Sequence, residues 1–242
     1  MRTLSFANRC AKDILRDPVN LFFGLAFPLL LLLLLWTIQR NVPVSLFTLQ
    51  SLTPGISVFG LSFLSLFSAS LLAKDRESAF LQRLYTSPLE GRNFIMGYLL
   101  PLLPFALVQG LVCYLFALLL GLPFHPRMLL AVLGLLPMGL FYLSLGLLFG
   151  SVLGSKQVGG ICGALLTNVS AWFSGIWFDP KLLGSFLGRL AELLPFSHGV
   201  KMEQALLSGD WEGALVHLLP VGLYAAVSFC IAVRLFLRQR KQ

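Results

Sequence analysis

A run of roughly 20 apolar residues is long enough to cross a hydrocarbon core about 30 Å thick. This chain has six such runs, at 19–38, 54–73, 95–118, 128–153, 158–178 and 214–235, and none has a charged residue in its central part. The first holds fourteen Leu, Ile, Val or Phe. At roughly −0.3 to −0.6 kcal/mol each, insertion is favoured by on the order of 4 to 8 kcal/mol. Charged residues make up only 12% of the chain, against about 25% in soluble domains. The expected fold is an all-α integral membrane protein with six transmembrane helices, residues 1–242 forming a single transmembrane domain. The first run is too long for a secretory h-region and no small-residue cleavage site follows Trp36, so it is expected to be retained.

Six spans place both termini on one side of the bilayer. That side receives 13 of the 18 Lys and Arg, and each side receives five acids, so the net charge of +8 falls on one face. Excess Lys and Arg marks the cytoplasmic side. The termini are therefore expected to be cytoplasmic, and the chain integral to the cell (inner) membrane. The basic balance reads as topology and attraction to anionic lipid, with no nucleic-acid partner.

Proline punctuates the helices. Asp17-Pro18, Thr53-Pro54, Ser87-Pro88 and Asp179-Pro180 each set a capping residue before a proline at the first helical position, and His125-Pro126 is a weaker case. Ser87-Pro88-Leu89-Glu90 is also a capping box. Residues 2–16 are expected to form an interfacial helix with Leu4, Ala7, Ala11, Ile14 and Leu15 on its apolar side. A cytoplasmic helix is expected over 74–86. The outer loop 179–213 is expected to carry two short helices, over 180–194 and 197–207, that dip into the outer leaflet.

Small residues recur every four positions in two spans. The fourth has Gly146, Gly150 and Gly154; the fifth has Gly159, Gly163, Thr167, Ala171 and Gly175. Such ridges let helices approach closely in lipid, either within one subunit or between two. The four cysteines show no metal or disulfide spacing.

The sequence has no phosphate loop, no His-Glu-x-x-His pair and no nucleophile elbow. Ser62 and Ser144 lie within spans, but His125, His198 and His217 all fall toward the outer face, which disfavours an intramembrane serine protease. The spans also lack the central ionisable residue an ion-coupled carrier needs. The chain is expected to be no enzyme, to bind no cofactor or metal, and to draw any pumping power from outside itself.

A polar stretch, Asp75-Arg76-Glu77-Ser78-Ala79-Phe80-Leu81-Gln82-Arg83-Leu84-Tyr85-Thr86-Ser87-Pro88, followed by Phe94-Ile95-Met96-Gly97-Tyr98, separates the second and third spans. In layout it resembles the ABC type-2 exporter permeases, although Ala79, Phe80 and Gln82 depart from that family's Gly-Thr-Leu-Glu-like core. Leu194-Pro195-Phe196-Ser197-His198-Gly199-Val200, then Gln204-Ala205-Leu206-Leu207-Ser208-Gly209, is similar to the family's segment ahead of the sixth span. With the surface helix and the six spans, the likeness covers essentially the whole chain.

The resemblance implies a permease that pairs with a second copy or a paralogue and docks separate ABC ATPase subunits, which hold the ATP and Mg. Residues 74–86 would be the coupling helix, with Arg76, Glu77, Phe80, Leu81, Arg83, Leu84 and Tyr85 as its contact surface. The fifth-span ridge, from Gly159 to Gly175, would face the partner permease. Trp36, Gln109, Asn168, Trp172, Phe173 and Trp177 are candidate pathway residues. Gln109 and Asn168 are mid-span amides that need hydrogen-bond partners, so locking helices together is their competing role. An uncharged pathway suits export of a lipophilic or amphiphilic compound such as a drug, lipid or peptide antibiotic; a glycan is the alternative cargo. The competing function is a non-transporting membrane anchor or sensor that recruits a cytoplasmic partner.

Overall fold

The computed structural model describes residues 2–42, 47–78, 91–178, 182 and 184–239. Nine helical elements carry the described chain. They are α1 (Arg2–Arg16), α2 (Pro18–Asn41), α3 (Leu49–Glu77), α4 (Gly91–Leu119), α5 (Arg127–Val152), α6 (155–174), α7 (Ser185–Leu193), α8 (Pro195–Ser208) and α9 (Trp211–Gln239).

Five of these, α2, α3, α4, α5 and α9, are long and apolar enough to cross a membrane. The fifth expected span, over 158–178, is not among them. It is present as α6, which runs from Ser155 to Ser174 with a π-helical middle, Gly159–Leu166. Its Gln157 and Asn168 dilute its apolar character. At about 1.5 Å per residue its length is nevertheless on the order of 30 Å. Ser155 binds Glu77 at one end of the bundle, and Ser174 borders a cavity with Ser51 at the other.

The second span is expected over 54–73, but α3 starts five residues earlier. Pro54 lies inside the helical segment Leu49–Gly60 rather than at its first turn. A turn at Leu61-Ser62 joins that segment to Phe63–Glu77. Helix α3 is the central element: 89% of its most apolar window is buried, against 22% for α2 and for α9. That burial depends on the fourth-span glycines. A Cβ on Gly150 would lie 2.6 Å from the Ala69 carbonyl oxygen, and one on Gly146 would lie 2.8 Å from the Ser65 Cα. The Gly146/Gly150 part of the ridge therefore packs inside one subunit.

Asp17-Pro18 behaves as expected, with the Asp17 carboxylate accepting the Val19 N–H at 3.0 Å. His125-Pro126 works differently. Helix α5 starts at Arg127, whose N–H donates to His125 Nδ1 at 3.2 Å.

The two outer helices are observed as α7 and α8, and α8 packs within the bundle against α3, α5, α6 and α9. Phe196, Val200, Met202 and Glu203 are all buried on it. As part of the segment 179–213, Glu203 is expected in an outer loop. It is instead fully buried, its Oε2 accepting the Tyr114 hydroxyl at 3.3 Å. A Cβ on Gly134 would lie 2.7 Å from its Oε1. Burial pushes this carboxyl well above the usual carboxylate range.

Candidate functional site: the polar base and the aromatic cavity

Helix α1 is more than a surface float. Its buried face is Phe6, Ala7, Cys10 and Ile14, whereas Leu4 and Leu15 point outward. The expected apolar side therefore divides: Ala7 and Ile14 enter the core, and Leu4 and Leu15 remain on an exposed stripe. The buried face docks on α4. Phe6 lies edge-on to Tyr98 at 5.1 Å and fills the space above Gly97, where a Cβ would collide with its ring. Burial pushes the Cys10 thiol up to about 12, so it stays protonated and unreactive.

A buried carboxylate ties three elements together beneath α1. Asp75, 2% exposed, accepts Arg9 Nη2 at 2.6 Å and the Tyr98 hydroxyl at 2.8 Å. Arg9 also pairs with Asp13 one turn on. Burial opposes the Arg9 charge, but the bonds and charge of Asp75 outweigh it and leave the guanidinium pKa raised. Asp75 and Tyr98 stood in the sequence only as members of a motif; the structure makes them bonding partners.

The next two residues turn toward their own chain. Arg76 Nη1 donates to the carbonyls of Gly150 at 2.9 Å and Leu153 at 3.2 Å, satisfying the open C-terminus of α5. The Glu77 carboxylate accepts the Ser155 N–H at 2.8 Å and the Ser155 hydroxyl, capping the start of α6. The end of α3 is thus clamped to the α5–α6 turn. Phe80, Leu81, Arg83, Leu84 and Tyr85 lie outside the described residues.

The second feature is a cavity of about 470 Å³ between α2, α3 and α6. Asn168, Trp172 and Trp177 from the expected pathway line it, together with Gly163, Thr167 and Ala171 from the expected interface. Five phenylalanines that are not among the expected site residues also line it: Phe23 and Phe27 on α2, Phe59 and Phe63 on α3, and Phe178. The rings of the four on α2 and α3 form a connected wall, Phe23 stacked on Phe63 at 5.2 Å and Phe59 edge-on to Trp177 at 6.4 Å. Phe23 and Phe27 are spaced i, i+4 and share a face of α2, a signal legible in the sequence; Phe59 and Phe63 flank the Leu61-Ser62 turn, and their rings meet at 5.8 Å.

Both flanking helices carry π segments beside this cavity, Phe22–Ala26 in α2 and Gly159–Leu166 in α6. Such segments recur at functional sites because the extra residue per turn re-aims side chains. The Asn168 amide donates to the Ala164 carbonyl at 2.8 Å, which satisfies one donor locally and leaves the exposed side chain at the cavity wall.

The remaining expected residues fall elsewhere. Gln109 is buried, its amide 3.4 Å from the Ser57 carbonyl, and does not line this cavity. Phe173 packs against the core. Trp36 lies under the Arg40 guanidinium at 4.8 Å, a cation–π contact suited to the end of a span. Gly175 is the left-handed C-cap of α6, φ 79°. A Cβ on Gly159 would meet nothing within 4 Å. The surroundings of the five residues thus differ along the ridge: a Cβ on Gly163 would meet the Leu66 side chain, Thr167 and Ala171 are buried, and Gly159 is open.

Comparison with known proteins agrees with this architecture. Residues 2–207 match the family described as ABC-2 type transporter. Two relatives carry the name transport permease ycf38. The one from Porphyra purpurea is 30% identical over 220 residues, covering 86% of this chain and 74% of its own length. The one from Pyropia yezoensis is 37% identical over 94 residues, covering 36% of this chain and 32% of its own length. With a match across most of its residues and five apolar helices long enough to span a bilayer, the chain is an integral membrane protein belonging to the ABC-2 type transporter family.

Proposed function

We propose that the chain is the permease subunit of an ATP-driven exporter of a lipophilic or amphiphilic compound. Two copies, or this chain and a paralogue, face each other across α2 and α6, with α6 as the fifth of six spans and both termini cytoplasmic. Separate ATPase subunits holding ATP and Mg dock on residues 74–86.

The observation that carries this reading is the aromatic cavity. Among the described residues its lining has no ionisable side chain, and its polar groups are Thr167 and Asn168 with the indoles. That chemistry accepts an apolar or amphiphilic molecule and gives a free ion nothing to bind. Family membership supports the ATPase partner. The polar base supports the coupling route: a force applied by the ATPases at the end of α3 would reach α5 and α6 through Arg76 and Glu77, and α1 and α4 through Asp75.

The test is a pull-down of the detergent-solubilised chain from its native membrane, alongside Leu81→Asp and Leu84→Asp. Recovery of a nucleotide-binding subunit with the wild type and its loss with both variants is expected. Equal recovery with all three, or no ATPase at all, would overturn the coupling assignment.

A further inference from the structure

At the end of the bundle opposite Asp75 lies a larger cavity, about 730 Å³, enclosed by the starts of α3 and α9, the α4–α5 loop and the C-terminal half of α8. Its chemistry is unlike that of the aromatic cavity. Arg127 and Lys201 contribute positive charge, His125 and His217 contribute imidazoles, and Asp210 supplies the single carboxylate of the lining. That carboxylate is already engaged, because Asp210 Oδ1 accepts the Gly213 N–H at 3.0 Å at the N-terminus of α9. Among the described residues, neither Arg127 nor Lys201 forms an ion pair.

The arginine is held in place before any ligand arrives. Arg127 Nη1 donates to the Ser208 carbonyl at 2.6 Å. Its guanidinium lies over Gly209, where φ is +86° and a Cβ would come within 2.6 Å of Arg127 Cζ. A fixed, planar guanidinium with N–H groups to spare is suited to bidentate binding of a tetrahedral oxyanion.

Hydrogen bonding also assigns the imidazole tautomers. His125 Nδ1 accepts the Arg127 N–H, so the neutral ring carries its proton on Nε2 and offers a donor. His198 Nε2 faces the Glu192 carbonyl at 2.8 Å and must donate there. Its Nδ1 therefore accepts, at 2.9 Å, a proton held on His217 Nδ1. His217 Nε2 is left as the ring atom of this pair without a partner among the described residues.

Beside this cationic wall are Leu122, Pro123 and Phe124, the last 76% exposed, and Leu119 just before them is 82% exposed. We propose that this cavity binds the phosphate-bearing headgroup of an anionic amphiphile, the phosphate on Arg127, Lys201 and His125 and the apolar portion along Leu122–Phe124. The volume lies in the range of about 300–1,000 Å³ typical of small-molecule sites. It shares no lining residue with the aromatic cavity, so this inference stands or falls independently of the transport reading.

The test uses the full-length chain purified in neutral detergent and native mass spectrometry with three probes: phosphatidylglycerol, phosphatidylcholine and inorganic phosphate. Phosphatidylglycerol is expected to be retained about 10-fold over phosphatidylcholine, equivalent to about 1.4 kcal/mol. The preference should fall in Arg127→Gln and Lys201→Gln and persist in Lys156→Gln at the far end of the bundle. Retention of inorganic phosphate with the same variant dependence would support the site and identify a soluble phosphate compound as its occupant. Should a variant fail to fold, the wild type still decides, since a phosphate contact weakens steeply with salt. Equal retention of the two lipids together with no phosphate binding, or a preference unmoved by salt, would overturn the proposal.

Discussion

Replacing Gly150 by alanine adds one carbon at a point where α5 touches the backbone of α3. The new Cβ would lie 2.6 Å from the Ala69 carbonyl oxygen and 2.7 Å from its Cα. Backbone cannot swing aside as a flexible side chain can, so the helices must part by roughly 1 Å, and a gap of that size forfeits a quarter to a half of each dispersion contact along the seam. Overpacking of this kind costs about 1–3 kcal/mol. Gly146→Ala, which meets Ser68 and the backbone of Ser65, belongs to the same seam, and the two together should be less than additive because one displacement relieves both. The control is Gly159→Ala. Nothing lies within 4 Å of its Cβ, and alanine is favoured over glycine in a helix by about 1 kcal/mol. Thermal unfolding of the monomeric, detergent-solubilised chain reads the difference. Gly146→Ala and Gly150→Ala should melt below the wild type, and Gly159→Ala at or above it. A Gly150→Ala protein as stable as the wild type, or a Gly159→Ala protein equally destabilised, would refute the packing assigned to these helices.

Other consequences follow from the buried polar groups and the cavity wall. Asp75→Ala strands the Tyr98 hydroxyl and releases Arg9, a loss of about 2–3 kcal/mol, placed below the value for a fully buried pair because the Arg9 side chain is 37% exposed. Asp75→Asn retains an acceptor for Tyr98 and should cost less, with hydrogen exchange over residues 2–16 as the readout; equal protection in both variants would contradict the role given to Asp75. Glu203, whose folded pKa lies above its ordinary value of 4.5, binds more protons folded than unfolded. Its contribution therefore makes stability fall as pH rises from about 4.5 toward the folded pKa. Glu203→Gln should flatten that fall and be no less stable than the wild type at pH 8; a steeper fall would count against it. Phe63→Ala opens the aromatic wall where Phe23 and Phe27 converge. It should alter cargo stimulation of the ATPase in the reconstituted complex while leaving basal ATPase activity unchanged, and unchanged stimulation would argue against a pathway there.

The sequence by itself determined the membrane class and the location of its apolar runs, five of which lie in helices long and apolar enough to cross a bilayer where six are expected. Apolar length and uncharged centres leave a chain no other way to satisfy its backbone in lipid, and Asp17-Pro18 marks a helix start through chemistry confined to adjacent residues. Pro54 was misleading because proline is also tolerated within a membrane helix when neighbours cover the disturbed turn, and Thr53, Pro54 and Gly55 are all buried. The two small-residue ridges looked alike in sequence. Only packing separated them, with Gly146 and Gly150 sealed against α3 and Gly159 open. Arg76 and Glu77 read as a charged surface because their partners, Gly150, Leu153 and Ser155, lie more than 70 positions away. Glu203 read as an outer-loop acid because nothing local announces that α8 folds back among the spans. Periodicity and capping act within a turn or two of helix, whereas the partner of a buried charge or of a glycine is set by which helices meet. That choice belongs to the tertiary structure.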